Sequence, residues 1–465
     1  MKKFLNDVSY TLLSNFTILF VNLLLVLFIP KLLTIEEYGF WQLYLFYGSY
    51  VTLFTLGWSD GLYLRYGGFK ENDLDKELLS SQFKMIVLLQ LLVTSVMLYS
   101  STFVNDDNLR FIIFSLGISS FCINVSYFFT HLLQAIGLFK RYALNSIVTR
   151  MLTLLSISIL LIKSEISFVS LVKANLIVAI SSLVYTFFQT RKYFLNTDVI
   201  HAGINWKEAI YNIKSGSVLL FANTINMLVV GVARKGIEIN YGIETFAKVS
   251  LMLSFLTFLI TFINSFSMVF YPMLRRTSVD YLPTLFVRLK KIIMPFLLVY
   301  LCCFYLVPPF IKLWLPKYID SIEYMKILYI IGLIELKVNF INNTFLKVLR
   351  KEKIMLFLNL FSIVLCLFLV ITLSILKKDV TYMIFTIVIV LYFRMLLSDI
   401  YLIKVLKLTN YWQIFVDVII IAIFYSLLFL VDNGMLIMCV GTVVYVVYNW
   451  KTHIDLVKLT ISSFD

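Results

Sequence analysis

Apolar residues run in long unbroken stretches along this chain instead of alternating with polar ones. The clearest stretches are 11–29, 354–376 and 411–431. A strand of a membrane barrel alternates over segments of roughly ten residues, whereas a run of about twenty apolar residues matches one helical crossing of a hydrocarbon core. Windows of that length divide the chain into about fourteen spans. They fall at 9–33, 41–64, 85–104, 110–132, 143–162, 166–189, 215–235, 244–271, 289–314, 322–346, 354–376, 380–403, 411–431 and 434–450. Hydrocarbon offers no partner to backbone N–H and C=O groups, so spans of this kind satisfy them internally as helices. The pattern predicts an all-α polytopic membrane protein.

Composition strengthens that reading. Of 465 residues, 61% are hydrophobic and 14% charged, against about 25% charged in an ordinary soluble domain. The net charge of +14 would suit a nucleic-acid partner if it formed one surface, but Lys and Arg sit in short loops between apolar runs. With the N-terminus inside, the loops 65–84, 140–141, 191–214, 275–291, 347–353, 404–407 and 451–458 fall on the cytoplasmic side. Together with Lys2 and Lys3 they hold about 25 of the 40 Lys and Arg residues, the asymmetry of the positive-inside rule. An even number of spans places the C-terminus inside as well. No nucleic-acid partner is expected. The run that begins near Leu12 and continues to Pro30 reads as a first span and not as a cleaved signal.

No loop has room for a soluble catalytic domain, and no nucleophile–base pattern is visible, so the expectation is a transporter and not an enzyme. There is no phosphate-binding loop for ATP. Cys122, Cys302, Cys303, Cys366 and Cys439 lie in or beside apolar runs without zinc spacing, so neither metal nor disulfide framework is expected. His131, His201 and His453 read as ordinary helix-end or loop residues.

The chain repeats itself weakly. "PKLLTIEEYGFWQLY" after the first span pairs with "ARKGIEINYGIETFAKV" after the seventh, so that Tyr38-Gly39 matches Tyr241-Gly242 and Lys31 matches Arg234. "LQAIGLFKRYAL" after span four pairs with "FLKVLRKEKIML" after span ten. The repeat suggests a six-helix lobe at 1–200, a second at 201–403, and two additional helices with a tail at 404–465. Transporters built from repeats bind cargo at the interface of their halves.

Four segments carry a family resemblance: "EEYGFWQLY", "GWSDGLYLRYGG", "QAIGLFKRY" and "IKLWLPKYIDSIEYMKIL". They resemble the polysaccharide transporters of the multidrug/oligosaccharidyl-lipid/polysaccharide exporter superfamily, in particular the O-antigen and capsular repeat-unit flippases. The resemblance implies two six-helix lobes around a central polar cavity, followed by two further helices. It implies a lipid-linked oligosaccharide as cargo, undecaprenyl-pyrophosphate-linked, moved across the bacterial inner membrane by alternating access. It also implies energy from an ion gradient or membrane potential without a bound cofactor, and a glycan polymerase and chain-length regulator as partners. Many relatives carry an acidic residue late in the seventh span; "LVVGVARKG" here has none. Two other readings compete. A multidrug exporter of the same superfamily would want an acid-rich lining for cations, and intramembrane basic residues here are at least as frequent as acidic ones. A membrane glycan polymerase usually bears a large external loop, and none is present.

A charge at the bilayer centre costs at least about 2.5–3.5 kcal/mol on insertion scales, so each one needs a reason. Glu335 lies near the middle of span ten. Lys337 follows two positions later, off its face, while Asn339 and Asn342 at i+4 and i+7 extend a polar stripe. Either Glu335 lines the cavity as a proton or cation site, or it forms a buried ion pair locking two helices. Arg394 in span twelve, Arg150 in span five and Lys173 in span six are candidates to hold pyrophosphate, which Arg grips in a bidentate fork; snorkelling toward the interface is the alternative. Asn15 and Asn22 share a face of span one. Asn223 and Asn226, with Arg234 farther along, do so on span seven. Their amides are candidates for sugar hydroxyls or for helix–helix hydrogen bonds, worth roughly 0.6 kcal/mol each. Asp60, Arg65 and Lys248 are candidate gate residues at the cavity rim, or interface charges without a ligand.

Overall fold

The computed structural model describes residues 2–194, 203–409, 412–430 and 434–449. Among them there is no strand; the chain is a succession of helices. Two compact units are present, Met1–Met227 and Leu228–Asp465.

In the first unit the helices are α1 (Lys2–Leu32), α2 (Ile35–Gly48), α3 (Trp58–Tyr66), α4 (Lys76–Ser101), α5 (Asp107–Ala135), α6 (Phe139–Ile162) and α7 (Phe168–Thr190), followed by the start of α8 (Trp206–Arg276). The second unit holds the remainder of α8, then α9 (Leu282–Cys303), α10 (Val307–Trp314), α11 (Ser321–Leu328), α12 (Ile330–Lys337) and α13 (Asn343–Val348). It closes with α14 (Glu352–Ile375), α15 (Val380–Val405), α16 (Trp412–Leu430) and α17 (Gly434–Tyr448). Among the described residues eight helices are long and apolar enough to cross a membrane, and two shorter apolar ones follow at Phe415–Leu430 and Gly434–Tyr448. Their outward faces are bare hydrocarbon, as at Ile162 (84% exposed), Ile375 (75%) and Leu313 (86%). Apolar surface on that scale needs lipid around it. The chain is a multi-pass α-helical membrane protein.

Helix ends follow local chemistry. Asp75 and Asp106 accept from the backbone N–H of Leu78 and Leu109, which satisfies first-turn donors that have no partner inside the helix. Thr34 and Ser167 form reciprocal capping boxes. At the other ends Arg350, Lys377 and Lys407 take left-handed backbone, and the next N–H reaches back to Leu346, Leu373 and Ile403. Those bonds close the last turns, and the basic side chains suit the negative end of the helix dipole.

The second span, predicted as continuous over 41–64, is broken. After α2 the chain makes a 3₁₀ turn at Val51–Thr55 and passes through left-handed Leu56 and Gly57 before α3 begins. Broken backbone at membrane depth survives only where protein satisfies it. Here the Asn124 amide on α5 donates to the Val51 carbonyl at 3.0 Å, and the Gln90 amide on α4 donates to the Phe54 carbonyl at 3.0 Å. Gly57 and Gly61 let α3 meet the start of α8 backbone to backbone. A Cβ on Gly61 would lie 1.9 Å from the Asn212 carbonyl oxygen, and one on Gly216 would lie 2.0 Å from that of Gly57. Spans seven and eight fall in the single element α8, interrupted at Gly242 (φ 80°, ψ 176°). Tyr38-Gly39, its sequence counterpart, lies inside α2; the break in that part of the chain comes earlier, at Thr34.

Loops assigned to one side of the membrane meet one another. Glu71 accepts from Lys192 and Tyr193, and the Asn205 N–H donates to Ser81 at 2.8 Å. In the second unit the opposite loops do the same: Lys248 pairs with Asp320 at 2.9 Å, and Tyr241 donates to the Lys378 carbonyl.

Candidate functional site

The predicted stripe on span ten takes shape on α12 and α13. Glu335 faces α15, where the Arg394 guanidinium donates to its Oε1. The Asn339 amide donates to Glu335 Oε2 at 3.0 Å, and the Asn343 amide donates to Asn339 Oδ1 at 3.0 Å. The ladder is therefore Arg394–Glu335–Asn339–Asn343. The expected third member, Asn342, is displaced from it. Val338–Asn342 forms a π-helical turn, in which the Asn343 N–H bonds the Val338 carbonyl. The extra residue in that turn moves the next position on the face from i+7 to i+8. Asn342 is fully buried, and neither side-chain atom finds a hydrogen-bond partner among the described residues. Single π turns of this kind recur at functional sites because they re-aim side chains within a helix.

Lys337 points elsewhere and pairs with Asp417 on α16. Lys290 on α9 lies 2.7 Å from Asp399 on α15, close enough for an ion pair though not aligned as a hydrogen bond. Asp417 also senses Lys290 and Asp399 electrostatically. Three cations and three carboxylates thus form three pairs across four helices of the second unit. Buried charge is tolerable only when paired in this way. Lys290, Asp399 and Asp417 escaped the sequence reading, although two aspartates inside apolar runs were a usable signal. Lys290 was hidden by its place at the edge of a basic loop.

The other candidates are dispersed. Arg234 on α8 donates to Ser250 at 2.9 Å and lies 5.0 Å over the Phe246 ring. Lys248 makes the loop pair with Asp320. In the first unit Arg150 on α6, and Asn15 and Asn22 on α1, are half-buried, and Lys173 on α7 is exposed. The side chains of Asn223 and Asn226, and His201 and His453 altogether, lie outside the described residues. Asp60 sits in the first turn of α3 and is 2% exposed, inside the unit and not on its rim. Arg65, one turn on, pairs with Glu208 at the start of α8 and stacks 5.5 Å over Tyr211. His131 is held between Tyr127 and Tyr63, at 3.9 and 5.6 Å between ring centres. No group of three or more His, Cys, Asp and Glu suited to a metal occurs among the described residues.

Side-chain hydrogen bonding between helices, the alternative role for membrane amides, is present at other positions. Thr186 on α7 donates to Asn145 Oδ1 on α6 at 2.7 Å, and Thr149 and Ser182 meet at 2.9 Å.

No protein-family model matches the chain, and no curated protein matches it by sequence. Solved structures do. The lipid II flippase MurJ, in an inward closed conformation, superposes with a TM-score of 0.65 at 14% identity, covering 97% of this chain and 100% of that one. A multidrug resistance MATE family transporter of the MOP superfamily, facing inward, gives 0.62 at 14% identity, over 85% and 96% of the two chains. An outward-facing structure of a transporter so described gives 0.52 at 13%, over 86% and 94%. The chain has the fold shared by these transporters.

Proposed function

We propose that this protein is a flippase. Its cargo is a lipid-linked oligosaccharide, an undecaprenyl-pyrophosphate-linked repeat unit of O-antigen or capsule. It carries that cargo across the bacterial inner membrane by alternating access, with both termini in the cytoplasm. One observation carries the reading: the likeness to a flippase runs from end to end of both chains, at 97% and 100% coverage, while the likeness to the inward-facing multidrug transporter leaves part of this chain unmatched, at 85%. The polar ladder supports it. A partly exposed row of amides and a carboxylate does not face hydrocarbon, so it faces water, and it ends on a cation suited to phosphate. Energy comes from an ion gradient or the membrane potential acting on charge that moves through the field.

The second reading, export of cationic drugs, draws on the multidrug neighbours. It calls for an unpaired acidic lining, whereas Glu335, Asp399 and Asp417 are each matched by a cation.

Deletion of the gene in the source cell tests the proposal. A single finished repeat unit on its lipid should accumulate on the cytoplasmic leaflet while surface polysaccharide disappears, and wild type should restore it. Single units that reach the outer face and only fail to lengthen would make the protein a polymerase and end the proposal.

A further inference from the structure

Arg394 is the buried end of the ladder and Glu335 its more open neighbour: their side chains are 4% and 16% exposed. The guanidinium is already occupied, by a carboxylate. Carboxylate and phosphate can each offer two oxygens to the planar fork of arginine and compete for one set of N–H donors. The carboxylate is held at its other oxygen by Asn339, and Asn339 by Asn343, so it has a partner to stay with when the guanidinium lets go. That partner is itself part of the π turn at Val338–Asn342. Other charges nearby are committed to one another: Lys337 on α12 to Asp417 on α16, and Lys290 on α9 to Asp399 on α15.

We infer that Glu335 is a built-in stand-in for phosphate, occupying Arg394 in the empty protein and exchanging with the pyrophosphate of an isoprenyl-linked cargo. This rests on the flippase reading and adds to it a reason for release. Loading replaces one anion on Arg394 by another, so no bare cation is left in the membrane interior at any stage. Unloading is driven by the return of Glu335. No covalent bond changes; the exchange is of hydrogen-bonded partners alone. A carboxylate that competes with cargo weakens binding and speeds turnover together. A carboxylate that merely braces two helices would do neither.

The test uses the purified full-length protein in lipid nanodiscs, titrated with farnesyl pyrophosphate and, separately, with inorganic pyrophosphate. Glu335→Gln should bind farnesyl pyrophosphate tighter by about tenfold or more and, in proteoliposomes, should move lipid-linked cargo more slowly than wild type. Arg394→Gln should lose binding, and Arg394→Lys should keep part of it. Because Arg394→Gln leaves Glu335 without its cation, the double variant Glu335→Gln/Arg394→Gln is run beside it as a neutral pair; it should fold and fail to bind. Unchanged affinity in Glu335→Gln, with wild type binding normally, overturns the exchange and leaves the flippase reading standing. Wild type that binds neither probe overturns both. Inorganic pyrophosphate binding as tightly as the farnesyl form, with the same Glu335 dependence, overturns the lipid headgroup as ligand.

Discussion

Lys337 and Asp417 offer the sharpest test of what the buried charges do. Their side chains are 5% and 3% exposed, and the pair ties α12 to α16. Asp417→Asn removes the negative charge and keeps the shape. It leaves an ammonium buried without a counter-ion, a change that typically costs about 3–5 kcal/mol. Domains commonly have only about 5–15 kcal/mol in reserve, and each 1.4 kcal/mol is about a factor of ten in population. Two features pull the expected loss toward the lower figure. A second carboxylate, Asp399, acts on the site that Asp417 occupies. Helix α16 also keeps its other moorings, the Tyr425 hydroxyl on the Ile327 carbonyl at 2.8 Å and Phe424 packed on Phe304 at 5.9 Å. A loss near 3 kcal/mol is the working value. The double variant Lys337→Met/Asp417→Leu removes both charges and should recover most of the loss, since apolar replacement of a buried pair is close to neutral. Size-exclusion profiles of detergent-solubilised protein after graded heating give the apparent melting temperatures. The single variant should melt well below wild type, and the double should lie near it. A single variant that melts like wild type, or a double no better than the single, would mean that the Lys337–Asp417 pair does not hold α16 in this way. Because Lys337 turns away from the Glu335 ladder, the double variant should also keep transport.

Three other outcomes follow from particular contacts. Gly61→Val and Gly216→Val place a Cβ on the facing backbone, at 1.9 and 2.0 Å, and should abolish accumulation of folded protein on a size-exclusion column; Gly441→Ala, with nothing within 4 Å, should not. Asn124→Leu strips the Val51 carbonyl of its donor at 3.0 Å and should cost about 1–3 kcal/mol, seen as a lower melting temperature. The Glu71 carboxyl is held below the usual carboxylate range by hydrogen bonds from Lys192 and then Tyr193. A depressed folded-state value means its contribution is present above the ordinary carboxylate range and is lost as pH falls through the folded value. The protection of residues 67–75 against hydrogen exchange, taken relative to the intrinsic rate at each pH, should therefore fall in acid, and Glu71→Gln should remove that dependence.

Long apolar runs were legible from the sequence because a lipid-facing helix needs little else. The span predicted at 380–403 is α15, Val380–Val405, and that at 143–162 is α6, Phe139–Ile162. The break at Leu56–Gly57 was not legible, since hydropathy averages over it. What permits it is the pair of amides, Gln90 and Asn124, contributed from distant positions. Register on span ten failed for a related reason. Counting i+7 from Glu335 assumes an unbroken α-helix, and the π turn shifts the face to Asn343. Sequence left Glu335 open between cavity lining and ion pairing. Its partner Arg394 was already a candidate, but which intramembrane charges pair is a property of tertiary packing. Asp399 and Asp417 met the same rule that singled out Glu335 and were overlooked beside it.

Translocation of lipid-linked cargo is read in vesicles. The purified protein is reconstituted into proteoliposomes that carry a fluorescent isoprenyl-pyrophosphate oligosaccharide, and a membrane-impermeant quencher reads the accessible fraction as an ion gradient or potential is imposed. A rise in the accessible fraction that needs the protein, and that is slowed by Glu335→Gln and stopped by Arg394→Gln, is the predicted result. An accessible fraction that stays at the level of empty vesicles, while a cationic dye is expelled under the same gradient, would contradict the account and favour the drug exporter.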